Sequence, residues 1–138
     1  MIKTILTALL ALVLFAGTAL GQVKIDATTA HQMASEGEVL LLDIRTPREW
    51  KQTGVSPLAE TLNVRSQSFG TDFMALIDGD RSRPIALICA SGGRSGHLAD
   101  VLANAGFSTV FDVSEGMNGS GAGPGWIAAG LPTENYQR

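Results

Sequence analysis

Cysteine and histidine are scarce in this sequence, which contains one cysteine, Cys89, and two histidines, His31 and His97. A single cysteine excludes a disulfide bond within the chain, although small exported domains often have one. The histidines show no spacing to a cysteine or carboxylate that is typical of metal ligands, so we predict no metal site. An unpaired cysteine in an exported protein instead indicates a reactive thiol.

Basic residues are also few: ten Lys and Arg stand against 13 Asp and Glu, and the formal net charge is −3 at pH 7. A negative chain is repelled by nucleic acid and by anionic lipid. We therefore expect neither of these as a partner.

No apolar run is long enough to anchor the chain in a membrane. The longest covers residues 5–20 and is shorter than the roughly 20 residues that a spanning helix needs. It follows a weakly basic start at Lys3, and Ala19 and Gly21 are small residues placed as before a cleavage site. We interpret residues 1–21 as a signal peptide that is cut before Gln22, with export to a bacterial periplasm and no stable membrane insertion afterwards. Residues 22–138 then form one domain.

Strand and helix signals alternate along this domain, which predicts an α/β fold. Thr46 and Pro47 have the types expected at the start of a helix, and Thr28 or Thr29 is the predicted cap of an earlier one. The pattern predicts a single domain with a central, mostly parallel, five-stranded sheet and helices on both faces. The predicted strands are residues 23–25, 39–44, 62–64, 84–88 and 109–113, and the other predicted helical segments are 69–77, the stretch from Ser95 to Gly106, and a final turn at 125–129.

The most informative stretch connects the fourth strand to the helix that follows it. Glycines 92 and 93 let the backbone curl so that successive N–H groups face one point, and the helix N-terminus adds further donors. Such surroundings lower the pKa of a thiol. We expect an electropositive cup that holds the Cys89 sulfur open to solvent, whereas the simpler alternative is an inert core cysteine. The cup is formed by Cys89, Ala90, Ser91, Gly92, Gly93, Arg94 and Ser95.

Three motifs in the same order resemble those of rhodanese-type sulfurtransferases. The first is Cys89-x-x-Gly92-x-Arg94-Ser95, which resembles the active-site loop of that family. The second runs from Leu41 through Asp43, Arg45 and Glu49 to Trp50, and it is similar to L-x-D-x-R-x-x-x-E-[aromatic]. The third runs from Trp126 to Thr133 and is similar to W-x-x-A-G-L-P-V.

The resemblance implies transfer of a sulfane sulfur through a persulfide on Cys89. Its donor would be thiosulfate or a similar small anion, and its acceptor a thiol or a small protein, with cyanide as the assay acceptor. No cofactor is required. The loop residues 90–95 would bind substrate, with Arg94 forking onto the anion. From Cys89 to Arg94 the loop has six residues, the length that the resemblance associates with sulfur transfer. The related phosphatases and arsenate reductases have one more, so an enzyme of that kind is the less favoured alternative. A non-catalytic binding or redox-sensor module is the alternative of another class.

Asp43 and Arg45 are interpreted as support for the loop, with Asp43 accepting loop N–H groups and Arg45 paired with Glu49. The alternative is that both approach the substrate at the C-terminal ends of the parallel strands. For His97 two interpretations remain: it assists proton transfer, or it is a solvated surface residue.

Two stretches depart from the family's usual sequence. The histidine that normally follows the second motif is missing, and residues 116–125 are longer and richer in glycine than the usual link. We expect both at the rim of the pocket, the second as a flexible loop, with effects on the acceptor rather than on the nucleophile.

Overall fold

The computed structural model describes residues 21–137. Apart from Gly21, the predicted signal peptide lies outside these residues. Over residues 21–137, none of the helices has the length and apolar character needed to cross a membrane.

Five parallel strands form one sheet in the order β1-β5-β4-β2-β3. All four neighbouring pairs run in the same direction, so the carboxyl ends of the strands meet at one edge. This is the edge where parallel α/β sheets place their ligands. The strands are β1 (Val23–Ile25), β2 (Leu40–Asp43), β3 (Ala59–Thr61), β4 (Ile85–Ile88) and β5 (Val110–Val113).

Helices cover both faces of the sheet, because the central strands are apolar on both sides. Alternate residues of β4 point to opposite cores: Leu87 packs with α3 and α4, and Ala86 packs with α1. The predicted α/β domain, with helices on both faces of a five-stranded sheet, is confirmed, and the sheet is entirely parallel. The helices are α1 (Ala27–Ser35), α2 (Pro47–Thr53), α3 (Phe69–Leu76) and α4 (Gly93–Asn104).

The start of α2 is as predicted. Thr46 caps the helix, Pro47 is its first residue, and Glu49 completes a capping box by accepting the Thr46 N–H. This box fixes Glu49 in the first turn of α2, the helix that follows the carboxyl end of β2.

Two predicted elements differ from the structure. The cap of α1 is Asp26, whose carboxylate accepts the Thr29 N–H at 2.7 Å, rather than Thr28 or Thr29. Strand β3 lies before residues 62–64, although Leu62 and Val64 still donate to the carbonyl oxygens of Asp43, the last residue of β2, and of Ile44, and both pack against the core. The final turn predicted at residues 125–129 is present as a single turn, in which the Ala129 N–H donates to the Gly125 carbonyl at 3.0 Å.

Candidate active site

The Cys89 sulfur lies directly after β4, under the first turn of α4. The N–H groups of Gly92 and Ser95 donate to Sγ at 3.2 and 3.4 Å, and the thiol donates to Ser95 Oγ at 3.3 Å. Gly93 and Arg94 occupy the first two positions of the helix, where backbone N–H groups have no partner within the helix. Two amides and a helix N-terminus therefore surround one sulfur atom, which favours negative charge on it.

The sulfur is not open to solvent as predicted, since Cys89 is only 1% exposed. The residue packs into the core shared with α3 and α4, and the loop closes around it. Of the predicted substrate-binding residues, Ser91 and Gly93 are exposed at the surface of the loop, while Ser95 is buried beneath it. The thiol is thus enclosed, but the amides around it point inward.

Gly92 gives the loop its curl. Its φ is +91°, and a Cβ at this position would overlap the carbonyl oxygen of Ser114. Glycine is the residue that accepts this backbone conformation without strain. The turn that begins α4 is therefore shaped by the segment that follows β5.

That segment is the beginning of the glycine-rich stretch, and it supports the loop. Met117 and Asn118 donate to the carbonyl oxygens of Cys89 and Ala90, both at 2.9 Å. A Cβ on Gly116 would overlap the Ala90 carbonyl. The prediction of a flexible rim is wrong for this part, because the glycines here allow two backbones to approach closely.

Arg94 is paired with Glu49 rather than free. Its guanidinium donates to both carboxylate oxygens, at 2.8 and 2.6 Å. The hydrogen bond from Arg94 lowers the pKa of Glu49 to about 2, and the same contact raises the pKa of Arg94. The cup is consequently less electropositive than the sequence predicts, because the charge of Arg94 is compensated. The amides and the helix N-terminus remain as its positive groups.

Asp43 and Arg45 form a buried ion pair behind α2, with an N–O distance of 2.8 Å. Arg45 also donates to the Gly54 carbonyl at the end of the helix, and Trp50 donates to Asp43 at 3.1 Å. The predicted Arg45–Glu49 pair is wrong, since each residue has another partner. Asp43 also accepts a hydrogen bond from the backbone N–H of Arg45. Any support that the Asp43–Arg45 pair gives to the cysteine loop therefore acts through α2 and Glu49.

Asp112 is a site residue that the sequence analysis did not identify. Ser95 Oγ donates to Asp112 Oδ1 at 2.6 Å, and Asp112 is 1% exposed. Burial raises the pKa of Asp112, against the opposite effect of the hydrogen bond from Ser95. The available signal was a carboxylate in the middle of the apolar strand β5.

The histidines lie outside this cluster. His97 is exposed on α4, and His31 packs its ring against Trp126 at a centroid distance of 5.5 Å. Among the described residues, no group of three or more His, Cys, Asp or Glu side chains is placed to hold a metal ion. A cleft of about 480 Å³ is lined by residues of β3 and of the C-terminal segment, including Thr61 and Tyr136, and by none of the loop residues 89–95.

Comparison with known proteins agrees with the motifs and the fold. An uncharacterized protein of Rickettsia prowazekii is 30% identical over 116 residues, which cover 79% of this chain and 94% of the relative. The crystal structure of Rv0390 from M. tuberculosis is similar with a TM-score of 0.66 and 25% identity, over 85% of this chain and 100% of that one.

A polysulfide-sulfur transferase homodimer from Wolinella succinogenes has the same fold, with a TM-score of 0.65 and 20% identity, over 85% and 81% of the two chains. The model of the family described as "Rhodanese-like domain" matches residues 26–121. This match spans the sheet from α1 to the segment beyond β5 and includes Cys89, so the chain belongs to the rhodanese-like domain family.

Proposed function

We propose that the protein is a sulfurtransferase that carries a sulfane sulfur as a persulfide on Cys89. The observation that carries this proposal is the convergence of the Gly92 and Ser95 amides on Sγ, at 3.2 and 3.4 Å. An inert core cysteine needs no such donors. Amide donors around a sulfur stabilise the anionic forms through which it reacts, namely the thiolate and the persulfide.

The first half of the reaction forms the persulfide. The Cys89 thiolate attacks the outer sulfur of thiosulfate, a new S–S bond forms, and the S–S bond of the donor breaks to release sulfite. The negative charge moves from Sγ to the terminal sulfur. The Gly92 and Ser95 amides already donate to Sγ, and the N-terminus of α4 adds its dipole.

The second half returns the thiolate. A thiophilic acceptor attacks the terminal sulfur and takes it, and the electron pair of the breaking S–S bond stays on Cys89. Cyanide serves as the assay acceptor, with a small thiol or a thiol-bearing protein in the cell. Polysulfide is a second donor to test, because the Wolinella protein is named for its transfer.

Arg94 serves this reaction as part of an ion pair. Its two nitrogens bind Glu49, so an anionic donor reaches the guanidinium only by competing with that carboxylate. We assign the pair to holding the first turn of α4 against α2. Direct contact of Arg94 with a tetrahedral oxyanion, as a phosphatase would need, requires this bidentate contact to break.

The test is turnover with purified protein. Thiosulfate and cyanide should give thiocyanate with the natural protein, and Cys89→Ser should lose this activity by at least about a hundredfold because the nucleophile is gone. A phosphate ester is offered in parallel. Hydrolysis of the ester with no thiocyanate would assign the protein to the phosphatase-like class, and absence of both activities would favour a binding or redox-sensor module.

We also propose export with removal of residues 1–21. The support is the short apolar run after Lys3 and the small residues before Gln22. Expression of the full sequence in a Gram-negative host, followed by fractionation and N-terminal sequencing, should give a periplasmic protein that begins at Gln22. An intact N-terminus in the cytosolic fraction would reject this proposal.

A further inference from the structure

A chain of three buried side chains connects the nucleophile to a carboxylate on the neighbouring strand. The Cys89 thiol donates to Ser95 Oγ at 3.3 Å, and Ser95 Oγ donates to Asp112 Oδ1 at 2.6 Å. All three residues are at most 1% exposed. Their contacts join β4, α4 and β5, so none of the three is placed by its own element alone.

The direction of these hydrogen bonds matters because a serine hydroxyl has one proton. While Asp112 is ionised, it accepts that proton, and the Ser95 hydroxyl oxygen can then only accept from Cys89. This arrangement is compatible with a protonated Cys89 thiol, but it gives a Cys89 thiolate no hydroxyl donor. When Asp112 is protonated, its own O–H can donate to Ser95 Oγ, and the Ser95 proton is released to sulfur or to the Gly92 carbonyl oxygen, which lies 3.3 Å from Ser95 Oγ. The acceptor to which the Ser95 hydroxyl donates therefore depends on the charge of Asp112.

We infer that Asp112 is a positioning residue that takes up the Cys89 proton through Ser95. In this step the S–H proton moves to Ser95 Oγ, the original Ser95 hydroxyl proton moves to Asp112 Oδ1, and the electron pair of the S–H bond remains on sulfur. One negative charge moves from the carboxylate to Sγ, and the net charge of the cluster does not change. The buried thiol therefore ionises without passing its proton to water.

The charged surroundings of Asp112 are few. Lys24 lies beside it on β1, in register with Asp112, and Asp100 lies on α4. Of these two, Lys24 lowers and Asp100 raises the pKa of Asp112, while burial, the largest influence, raises it. On β4 the paired residue is Leu87, which has no charge. On the side of Cys89 the charged groups include Arg94, which is close enough for Cys89 to raise its pKa and which is paired with Glu49. A buried carboxylate with these neighbours is a suitable internal proton acceptor.

Two groups that share a proton titrate as a pair. Because Cys89 is the only cysteine, the ultraviolet absorbance of its thiolate can be followed against pH, with the Cys89→Ala form of each variant as the blank. For the natural protein we expect two steps: a partial rise in thiolate when the pair loses its first proton, and completion at higher pH when it loses the second.

Asp112→Asn and Ser95→Ala should each give a single step. The asparagine variant removes the proton acceptor and its charge. The midpoint of its thiolate step should therefore lie at a lower pH than the upper step of the natural protein, by on the order of one pH unit. The alanine variant keeps the charge, so its step should lie above that of Asp112→Asn. Asp100→Asn is the matched control, because it removes a nearby carboxylate outside the chain of hydrogen bonds, and it should retain both steps. Thermal melting of each variant identifies unfolded samples.

A single step in the natural protein would overturn the inference, as would two steps in Asp112→Asn. Two steps in Ser95→Ala would show that Asp112 acts without the relay and would also overturn it. Loss of a step in folded Asp100→Asn would attribute the effect to general charge and do the same. The inference rests on the proposed function only in treating Cys89 as the nucleophile. The titration uses no sulfur donor, so a failure of sulfur transfer and a failure of the relay are separate results.

Discussion

At the scale of single residues, Glu49 connects the second motif to the cysteine loop. It accepts the amide of Thr46 at the start of α2 and both terminal nitrogens of Arg94 in α4. The residue is about a quarter exposed, so water screens the ion pair in part, and we expect the pair to contribute about 1 kcal/mol to the free energy of unfolding.

The Glu49 contribution should depend on pH. The pKa of Glu49 is lowered from 4.5 to about 2 in the folded protein, and a lowered carboxyl pKa stabilises the fold above the unfolded value. Urea unfolding should therefore find the natural protein more stable than Glu49→Gln at pH 7. This difference should shrink as the pH falls from about 5 toward 2. A difference that stays constant over this range would show that the carboxylate charge contributes nothing.

At the scale of elements, the junction of β4 and α4 depends on two adjacent glycines with different roles. Gly92 has a φ of +91° and lies against Ser114, whereas Gly93 is the first residue of α4 and has open space around its Cα. Only the first of the two positions requires glycine.

Alanine substitutions at these glycines form a matched pair. Gly92→Ala should lower the free energy of unfolding by at least about 2 kcal/mol, because a Cβ combines a strained φ with an overlap against backbone. Gly93→Ala should be neutral or stabilising by up to about 1 kcal/mol, since a helix favours alanine over glycine. Urea unfolding measures both. Equal effects of the two substitutions would contradict this account of the loop.

Local sequence signals were sufficient for most elements. The Thr46–Pro47 pair marked the start of α2, and the run of apolar residues before Cys89 marked β4, because caps and continuous apolar runs act within a few residues. The partners of Arg94 and Ser95 were not predictable in this way. Glu49 and Asp112 reach them only through the pairing of strands, and no local pattern records which neighbour a side chain meets.

Residues 62–64 show a second limit of the sequence pattern. Leu62 and Val64 have the alternation of a strand and do face the core, yet the register of β3 with β2 places the paired residues earlier, from Ala59 to Thr61. Alternation reports which side chains are buried, whereas strand limits depend on the partner strand.

At the scale of the whole molecule, the segment after β5 ties the domain together. It passes under the cysteine loop, buries Trp126 completely against the core around α1, and ends by pairing Glu134 with Val55 beside α2. The Trp126 indole N–H donates to the Pro132 carbonyl at 2.9 Å. The third sequence motif thus has a structural role on the face of the sheet opposite α3 and α4.

Trp126→Ala should accordingly cost about 3–5 kcal/mol of unfolding free energy, because it removes a large buried side chain. The neighbouring Ile127 is 44% exposed, and Ile127→Ala should change stability by no more than about 0.5 kcal/mol. Thermal or urea unfolding compares the two. A tolerated Trp126→Ala would show that the C-terminal segment is not needed for stability.

The intact mass of the protein after treatment with thiosulfate tests the central claim most directly. A chain with a single cysteine should gain about 32 Da, one sulfur atom, as the persulfide forms, and the gain should disappear on addition of cyanide. Cys89→Ser, treated in the same way, should keep its mass. No gain in the natural protein, or the same gain in Cys89→Ser, would contradict the proposal that Cys89 carries the transferred sulfur.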